Sequence, residues 1–378
     1  DVITAGVGDH RILSGDGADK ITLGAGNNDI IADTGVIDDI ALTVTGDAAG
    51  SGDDVISLQD GDNRIFAGSG DDIITVGNGD QDIIADTGSI DYAAETYTST
   101  ENGRGDDTII AGAGDQQVLA GLGSDSITLG DGSSNVLGDS GELQYNGGEL
   151  ESAQSNTTDS SDHTSEADTI IIGDGDHIVL TGAGSDTITL GNGNSDVVAD
   201  NGTLDYVNQR YVADASITGY QYDENKPNQY DDVITAGVGD HRILSGDGAD
   251  KITLGAGNND ILGDTGTLDY AAGTFTADEN GSGDDVIIIG QGNQRILGGY
   301  GADSITTTDG NDVILGDTGS LQYNGTELAQ ATSVGLGGAT DIINAGVGDK
   351  IVLTGAGDDE VTLGDGDSDV VSDNGVLD

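Results

Sequence analysis

The chain contains no cysteine, no methionine, no tryptophan and one proline, Pro227. Lys and Arg number 10 against 70 Asp and Glu, a formal net charge of -60 over 378 residues, and aromatics make up 3%. Each shortage excludes something. Without cysteine there are no disulfide staples, so a small-core secreted chain needs another stabiliser. With so few basic residues the surface repels nucleic acid and anionic membrane, both of which are held through Lys and Arg. No stretch is long and apolar enough to span a membrane, and none of it is expected to be a signal peptide. Cations are the natural partner, because a compact body with this charge repels itself unless counter-ions neutralise it. High charge with few aromatics is also the signature of disorder, but here the aliphatic residues are not scattered.

They recur every nine residues. The first unit carries Ile3, Ile12, Ile21 and Ile30, and the second Ile56, Ile65, Ile74 and Ile83. The third has Ile109, Val118, Ile127 and Val136, and the fourth Ile170, Val179, Ile188 and Val197. The fifth has Ile234, Ile243, Ile252 and Ile261, the sixth Ile287, Ile296, Ile305 and Ile314, and the seventh Ile343, Val352, Val361 and Val370. Gly-x-Gly turns such as Gly15-Asp16-Gly17 lie between them. Nine residues are too few for a helix pair and fit a short β-branched strand plus a tight glycine turn. Two such arcs make an 18-residue coil. The fold expected is an all-β, right-handed parallel β-roll or β-solenoid with an internal Ile/Val ladder.

A longer segment follows every second coil, as in Asp264 to Asp278, with alternating residues around a turn; it is expected to be a β-hairpin. Two coils advance a solenoid by about 9.6 Å, the width of a two-stranded hairpin. The hairpins could therefore pair into a second, antiparallel sheet. The units of ~53 residues run approximately 1–52, 53–105, 106–166, 167–230, 231–283, 284–339 and 340–378, expected as one continuous array. Residues 1–30 recur unchanged at 232–261, a recent duplication. Neither end carries a polar cap of the kind solenoids need, so the chain is expected to be a piece of a longer array.

The arcs follow Gly-x-Gly-x-Asp-x-aliphatic, most fully in Gly298-Gly-Tyr-Gly-Ala-Asp-Ser-Ile305. This resembles the RTX (haemolysin-type) calcium-binding nonapeptide. The resemblance covers the arcs of all seven units but not the hairpins. It implies that the turn Asp binds calcium together with backbone carbonyls, a hard-oxygen donor set of the kind calcium prefers. The implied ligands are Asp1, Asp54, Asp107, Asp168, Asp232, Asp285 and Asp341 in the first arcs and Asp19, Asp72, Asp125, Asp186, Asp250, Asp303 and Asp359 in the third. First and third arcs are eighteen residues apart, so these stack on one edge. The fourth and fifth units lack the Gly-x-Gly before Asp168 and Asp232.

The second and fourth arcs depart from the pattern. Their ligand position holds His10, Asn63, Gln116, His177, His241, Gln294 and Lys350, then Asn28, Gln81, Ser134, Ser195, Asn259, Asp312 and Ser368. Only Asp312 fits the motif, so this edge is depleted of calcium or differently bound. In the second arc Asp often stands one place earlier, at Asp9, Asp115, Asp176, Asp240 and Asp349. A further Asp closes each fourth arc: Asp33, Asp86, Asp139, Asp200, Asp264, Asp317 and Asp373. It is either a turn-former bonding its own backbone or a further calcium ligand.

His10, His177 and His241 occupy one equivalent position, read as a surface turn, and His163 stands apart. The hairpin tyrosines Tyr92, Tyr145, Tyr206, Tyr270 and Tyr323 are expected to pack the hairpins onto the roll. The stretch from Tyr206 to Tyr230 adds Tyr211, Tyr220 and Tyr222, a packed lid or a contact loop. Nothing breaks the repeat as an active site would, so no enzyme is expected. The expected function is a calcium-binding structural segment, secreted to the cell surface, of a bacterial adhesin, sheath or extracellular filament, folding on calcium and adjoining other repeats or copies of itself. The alternatives are a binder of ice or glycan, and a secretion or folding module of an exported enzyme. Thr22, Thr75, Thr128, Thr189, Thr253, Thr306 and Thr362 recur too sparsely for a dense ice-binding plane.

Overall fold

The structure is a computed structural model that describes residues 1–47, 50–155, 167–213, 230–278, 283–334 and 339–378. His163, Tyr220, Tyr222 and Pro227 lie outside the described residues. All regular structure among the described residues is strand, and no helix is long and apolar enough to cross a membrane. The chain divides into two compact units, Asp1–Gly191 and Asn192–Asp378.

Each unit is a parallel β-roll of three layers. In Asp1–Gly191 the first- and third-arc strands pair in parallel, with Ile3 beside Ile21, Ile21 beside Ile56, and so on to Ile170 beside Ile188. We call this the outer sheet. The second- and fourth-arc strands form a middle sheet in the same way, from Ile12 beside Ile30 to Val136 beside Val179. In Asn192–Asp378 the ladders run from Ile234 to Val361 and from Val197 to Val370. The nine-residue period thus becomes a column of like side chains, and Ile56, Ile74, Ile109, Ile127, Ile252, Ile287 and Ile305 are fully buried in it.

The hairpins form the third layer, as their width predicted. Val44 pairs with Ile90 and Tyr97 with Leu143 in one unit; Tyr211 pairs with Leu268 and Phe275 with Leu321 in the other, all antiparallel. This layer explains a difference between arcs. Residues following the ladder position are Phe66, Ile84, Leu119, Leu137, Leu180, Leu244, Leu262, Leu297, Leu315 and Leu353 in the middle sheet, all fully buried. They meet the buried hairpin residues Ile90, Leu143, Leu204, Leu268, Phe275 and Leu321. The equivalent outer-sheet positions hold Thr, Ser, Asn or exposed Ile110, Ile171 and Ile288. A middle strand covered on both faces is apolar on both, and an outer strand on one face only. The hairpin tips are tight: Leu42, Glu95 and Gln209 take positive φ where Gly273 stands in a fourth hairpin.

Candidate metal centre

Within each of the two units, the turns that lead from the middle sheet to the outer sheet bring the ladder aspartates into a row. The turns are glycine because successive coils nearly touch: a Cβ on Gly123 (φ +154°) would lie 1.8 Å from the carbonyl oxygen of Gly105. Each Asp accepts, through Oδ1, the backbone N–H of the Asp one coil before it. The chain of bonds is Asp19 N–H to Asp54 at 2.6 Å, Asp54 to Asp72 at 2.7 Å, Asp72 to Asp107 and Asp107 to Asp125 at 2.8 Å. It continues from Asp125 to Asp168 at 2.8 Å and Asp168 to Asp186 at 2.7 Å. The second unit repeats it through Asp232, Asp250, Asp285, Asp303, Asp341 and Asp359, at 2.7 to 3.0 Å. Asp1 begins the row but is exposed, and its terminal ammonium bonds Asp19. Asp168 and Asp232 keep their places although no Gly-x-Gly precedes them.

One oxygen of each carboxylate is thus spent, and the other is not. Oδ2 of Asp19, Asp54, Asp72, Asp107, Asp125 and Asp168, and of Asp285, Asp303, Asp341 and Asp359, is buried with no hydrogen-bond partner. Turn carbonyls converge beside these oxygens. The point where Gly263 would carry a Cβ is 2.3 Å from both Asp285 Oδ2 and the Gly298 carbonyl; at Gly298 the pair is Asp303 Oδ2 at 2.4 Å and Gly316 O at 2.3 Å. Burial raises the proton affinity of Asp54, Asp72 and Asp341, and neighbouring aspartates add to it: Asp72 is pushed up to about 9, Asp341 to about 8 and Asp54 to about 7. Buried carboxylate oxygens without partners are costly unless a cation meets them. An all-oxygen set of carboxylates and carbonyls at a fixed pitch suits calcium.

The closing aspartates join the same edge. Oδ2 of Asp33, Asp86 and Asp139 accepts the N–H of Ser69 at 3.0 Å, Leu122 at 2.9 Å and Ala183 at 2.7 Å, in the next unit's turn. Asp200, Asp264 and Asp317 do the same for Asp247, Tyr300 and Ala356. In these six the side chain caps a neighbouring coil and not its own turn, whereas Asp373 accepts the N–H of Asn374 at 2.9 Å within its own turn, as the turn-forming reading expects. The glycine there is required: a Cβ on Gly121 (φ +118°) would lie 2.3 Å from Asp86 Oδ2. Oδ1 of Asp33, Asp86 and Asp264 is buried without a partner, and burial, with Asp107 and Asp72 adding to it, pushes Asp86 up to about 9. Nothing in the spacing alone could separate capping from ligation.

The opposite edge has the same scaffold and different chemistry. Asn28 N–H bonds Asn63 Oδ1 at 3.1 Å, Asn63 N–H bonds Gln81 Oε1 at 3.2 Å, and Gln81 N–H bonds Gln116 Oε1 at 3.0 Å. Where Asp has a bare Oδ2, these residues have an N–H that meets a turn carbonyl. Asn28 Nδ2 bonds Gly26 O and Asn63 Nδ2 bonds Gly61 O at 2.8 Å; Gln116 Nε2 bonds Gly79 O at 3.0 Å and Gln294 Nε2 bonds Gly257 O at 2.9 Å. The histidines follow suit, with Nε2 of His10, His177 and His241 at 3.0, 3.0 and 3.2 Å from the carbonyls of Gly6, Gly173 and Gly237. His177 and His241 are buried, which corrects the surface-turn reading; burial lowers the proton affinity of His177. Asp312 is on this edge, apart from the other candidates. Its oxygens accept Gln294 N–H at 3.0 Å and Thr307 Oγ1 at 2.7 Å, and Lys350 Nζ lies 3.4 Å away, both side chains fully buried. The Asp standing one place earlier is an exposed cap: Asp9, Asp115, Asp240 and Asp349 accept N–H groups of Asn27, Ser133, Asn258 and Asp367 at 2.7 to 2.9 Å.

The fold and the aspartate row define a calcium-binding parallel β-roll. The family model described as RTX calcium-binding nonapeptide repeat (4 copies) matches residues 1–35, 49–80, 102–141, 235–267 and 288–320. The chain carries RTX repeats, and these bind calcium at multiple sites. The fourth and seventh units fall outside the matched stretches, yet their aspartates hold the same register. No curated protein and no solved structure matches the chain.

Proposed function

We propose that this chain is a calcium-stiffened structural segment of a secreted bacterial surface adhesin, sheath or extracellular filament, without enzymatic activity. The observation that carries the proposal is the asymmetry of the two edges. On one edge the Asn, Gln and His side chains meet the turn carbonyls themselves, and the other ends in rows of buried carboxylate oxygens that a cation must meet. The proposed calcium ligands are Oδ2 of the aspartates from Asp19 to Asp359 on the row, the adjoining turn carbonyls, and Oδ1 of the closing aspartates. In a calcium-poor cytoplasm, carboxylate repulsion keeps the chain unfolded and exportable. Outside, each ion adds stability by mass action, about 2.7 kcal/mol per site at a hundredfold excess over its dissociation constant. With carboxylates repeated at every coil and none singular, the row supports an array and not a catalytic centre.

The localisation is tested by labelling intact and lysed cells with an antibody to the chain. Labelling of intact cells, lost on brief external proteolysis after calcium is chelated, is expected. Labelling confined to lysed cells would reject the surface assignment. The outward column of the outer sheet runs Thr4, Thr22, Ser57, Thr75, Ile110 and Thr128, a mixed face that gives no support to an ice-binding plane.

A further inference from the structure

Between the hairpin layer and the middle sheet, arginine side chains recur in a fixed setting. Arg64 stands opposite Asp29, Arg242 opposite Asp196, and Arg295 opposite Asp260, each pair in register on adjacent strands. Each forms an ion pair there, at 2.6, 2.5 and 2.5 Å. Each guanidinium also lies over rings from the hairpins: Arg64 over Tyr92 at 5.1 Å, Arg242 over Tyr211 at 4.6 Å, and Arg295 over Phe275 at 4.5 Å and Tyr323 at 5.3 Å. A carboxylate below and aromatic faces beside form a setting made for a planar cation.

One setting is filled from one side only. Asp82 stands beside Arg64 on the preceding coil and Gln117, not Arg, on the following one. Its Oδ2 accepts the hydroxyl of Tyr92 at 2.8 Å, and Tyr97 packs edge-on between Tyr92 and Tyr145 at 6.3 and 5.6 Å. Gln117 has turned to Tyr145, whose hydroxyl it accepts. What remains is an open cleft of about 470 Å³ lined by Asp80, Asp82, Glu95 and Asp115, the three tyrosines, Gln117 and Gly148. Four carboxylates line it and no basic side chain does.

We propose that this cleft binds a guanidinium group, an arginine side chain supplied from outside the roll, seated on Asp82 and between Tyr92, Tyr97 and Tyr145. The chain's own Arg242 and Arg295 show the bound form. The site is separate from the calcium row and does not rest on it. The test is a titration of the calcium-saturated chain with N-acetyl-arginine amide, followed by chemical shifts of the tyrosine rings, with the neutral isostere N-acetyl-citrulline amide as control. Saturable binding of the arginine compound, at least about tenfold tighter than the citrulline compound, is expected. The variant Gln117→Arg restores the recurring pair and fills the cleft from within. It should fold, melt at a higher temperature and bind the probe at least about tenfold more weakly. A Gly-Arg-Gly peptide that binds tighter than the single amide assigns the arginine to a protein partner, and equal binding assigns a free solute. Equal binding of the arginine and citrulline compounds, no saturable binding, or undiminished binding by Gln117→Arg would each overturn the proposal.

Discussion

Along one edge of each roll the buried turn position holds Asp; along the other it holds Asn, Gln, His, Ser or Lys, with Asp312 the exception. Backbone and register are alike, and on both edges a side-chain oxygen accepts the N–H of the preceding coil, as Asp54 does for Asp19 and Asn63 for Asn28. The difference is one atom. On the amide edge the second atom is nitrogen, which hands its hydrogen to a turn carbonyl, as Asn63 does to Gly61. On the aspartate edge it is an oxygen that has no hydrogen to give and is itself left without a partner. An unmet buried polar atom costs about 1–3 kcal/mol, more if charged, so a repeated row is a strong demand for a cation. The Asn and Gln of the other edge meet that demand internally, and Lys350 beside Asp312 meets it with a charge.

Turning one edge into the other should give the largest effect. In Asp107→Asn/Asp125→Asn/Asp168→Asn, the new amides can reach turn carbonyls as Asn28 and Asn63 do. The calcium concentration for half-folding should rise at least about tenfold, because carboxylate count sets affinity, while β content without calcium should increase. The exposed control Asp115→Asn should leave both within error. Circular dichroism with calcium titration reads each.

Proton binding sharpens the same contrast. Asp72 and Asp86 are pushed up to about 9 and Asp107 to about 7, against a usual 3.8, mainly by burial. The metal-free fold therefore binds more protons than the unfolded chain. That contribution is fully present below the unfolded value of about 4 and is lost as pH rises through the folded values. The β content of the EDTA-stripped chain, read by circular dichroism, should fall from about pH 4 to pH 9. With calcium present the ions displace those protons, so the calcium midpoint should climb as pH drops. A metal-free β content that rises with pH would contradict the aspartate row.

Removing Lys350 tests the amide edge. Lys350→Ala leaves Asp312 buried beside no charge and should cost about 3–5 kcal/mol in calcium-saturated urea unfolding. Lys350→Gln reproduces Gln116 and Gln294 and should cost less. The smallest expected effect is Gly121→Ala, which forces a methyl onto Asp86 at a positive φ; it should cost about 1–3 kcal/mol in the same assay.

Much of this was legible in the sequence. The nine-residue Ile/Val period dictated the coils, because it has one solution in a parallel sheet, and the hairpin width foretold the third layer. The aspartate column followed from the eighteen-residue spacing of Asp54 and Asp72. What escaped notice was which face each strand covers, although Ile65-Phe66 and Val118-Leu119 against Ile74-Thr75 and Ile127-Thr128 carried the signal. The buried histidines escaped because a turn residue in a Gly/Asp-rich chain looks exposed until the coils stack. The role of Asp86 escaped because its partner, Leu122, lies 36 residues away.

The most direct test is far-UV circular dichroism of the chain, stripped with EDTA, during a calcium titration with magnesium as control. The account predicts a cooperative gain of β structure between micromolar and millimolar calcium that magnesium does not produce. A β spectrum unchanged by EDTA would contradict it, because the row of buried oxygens would then be stable without the cation it was argued to require.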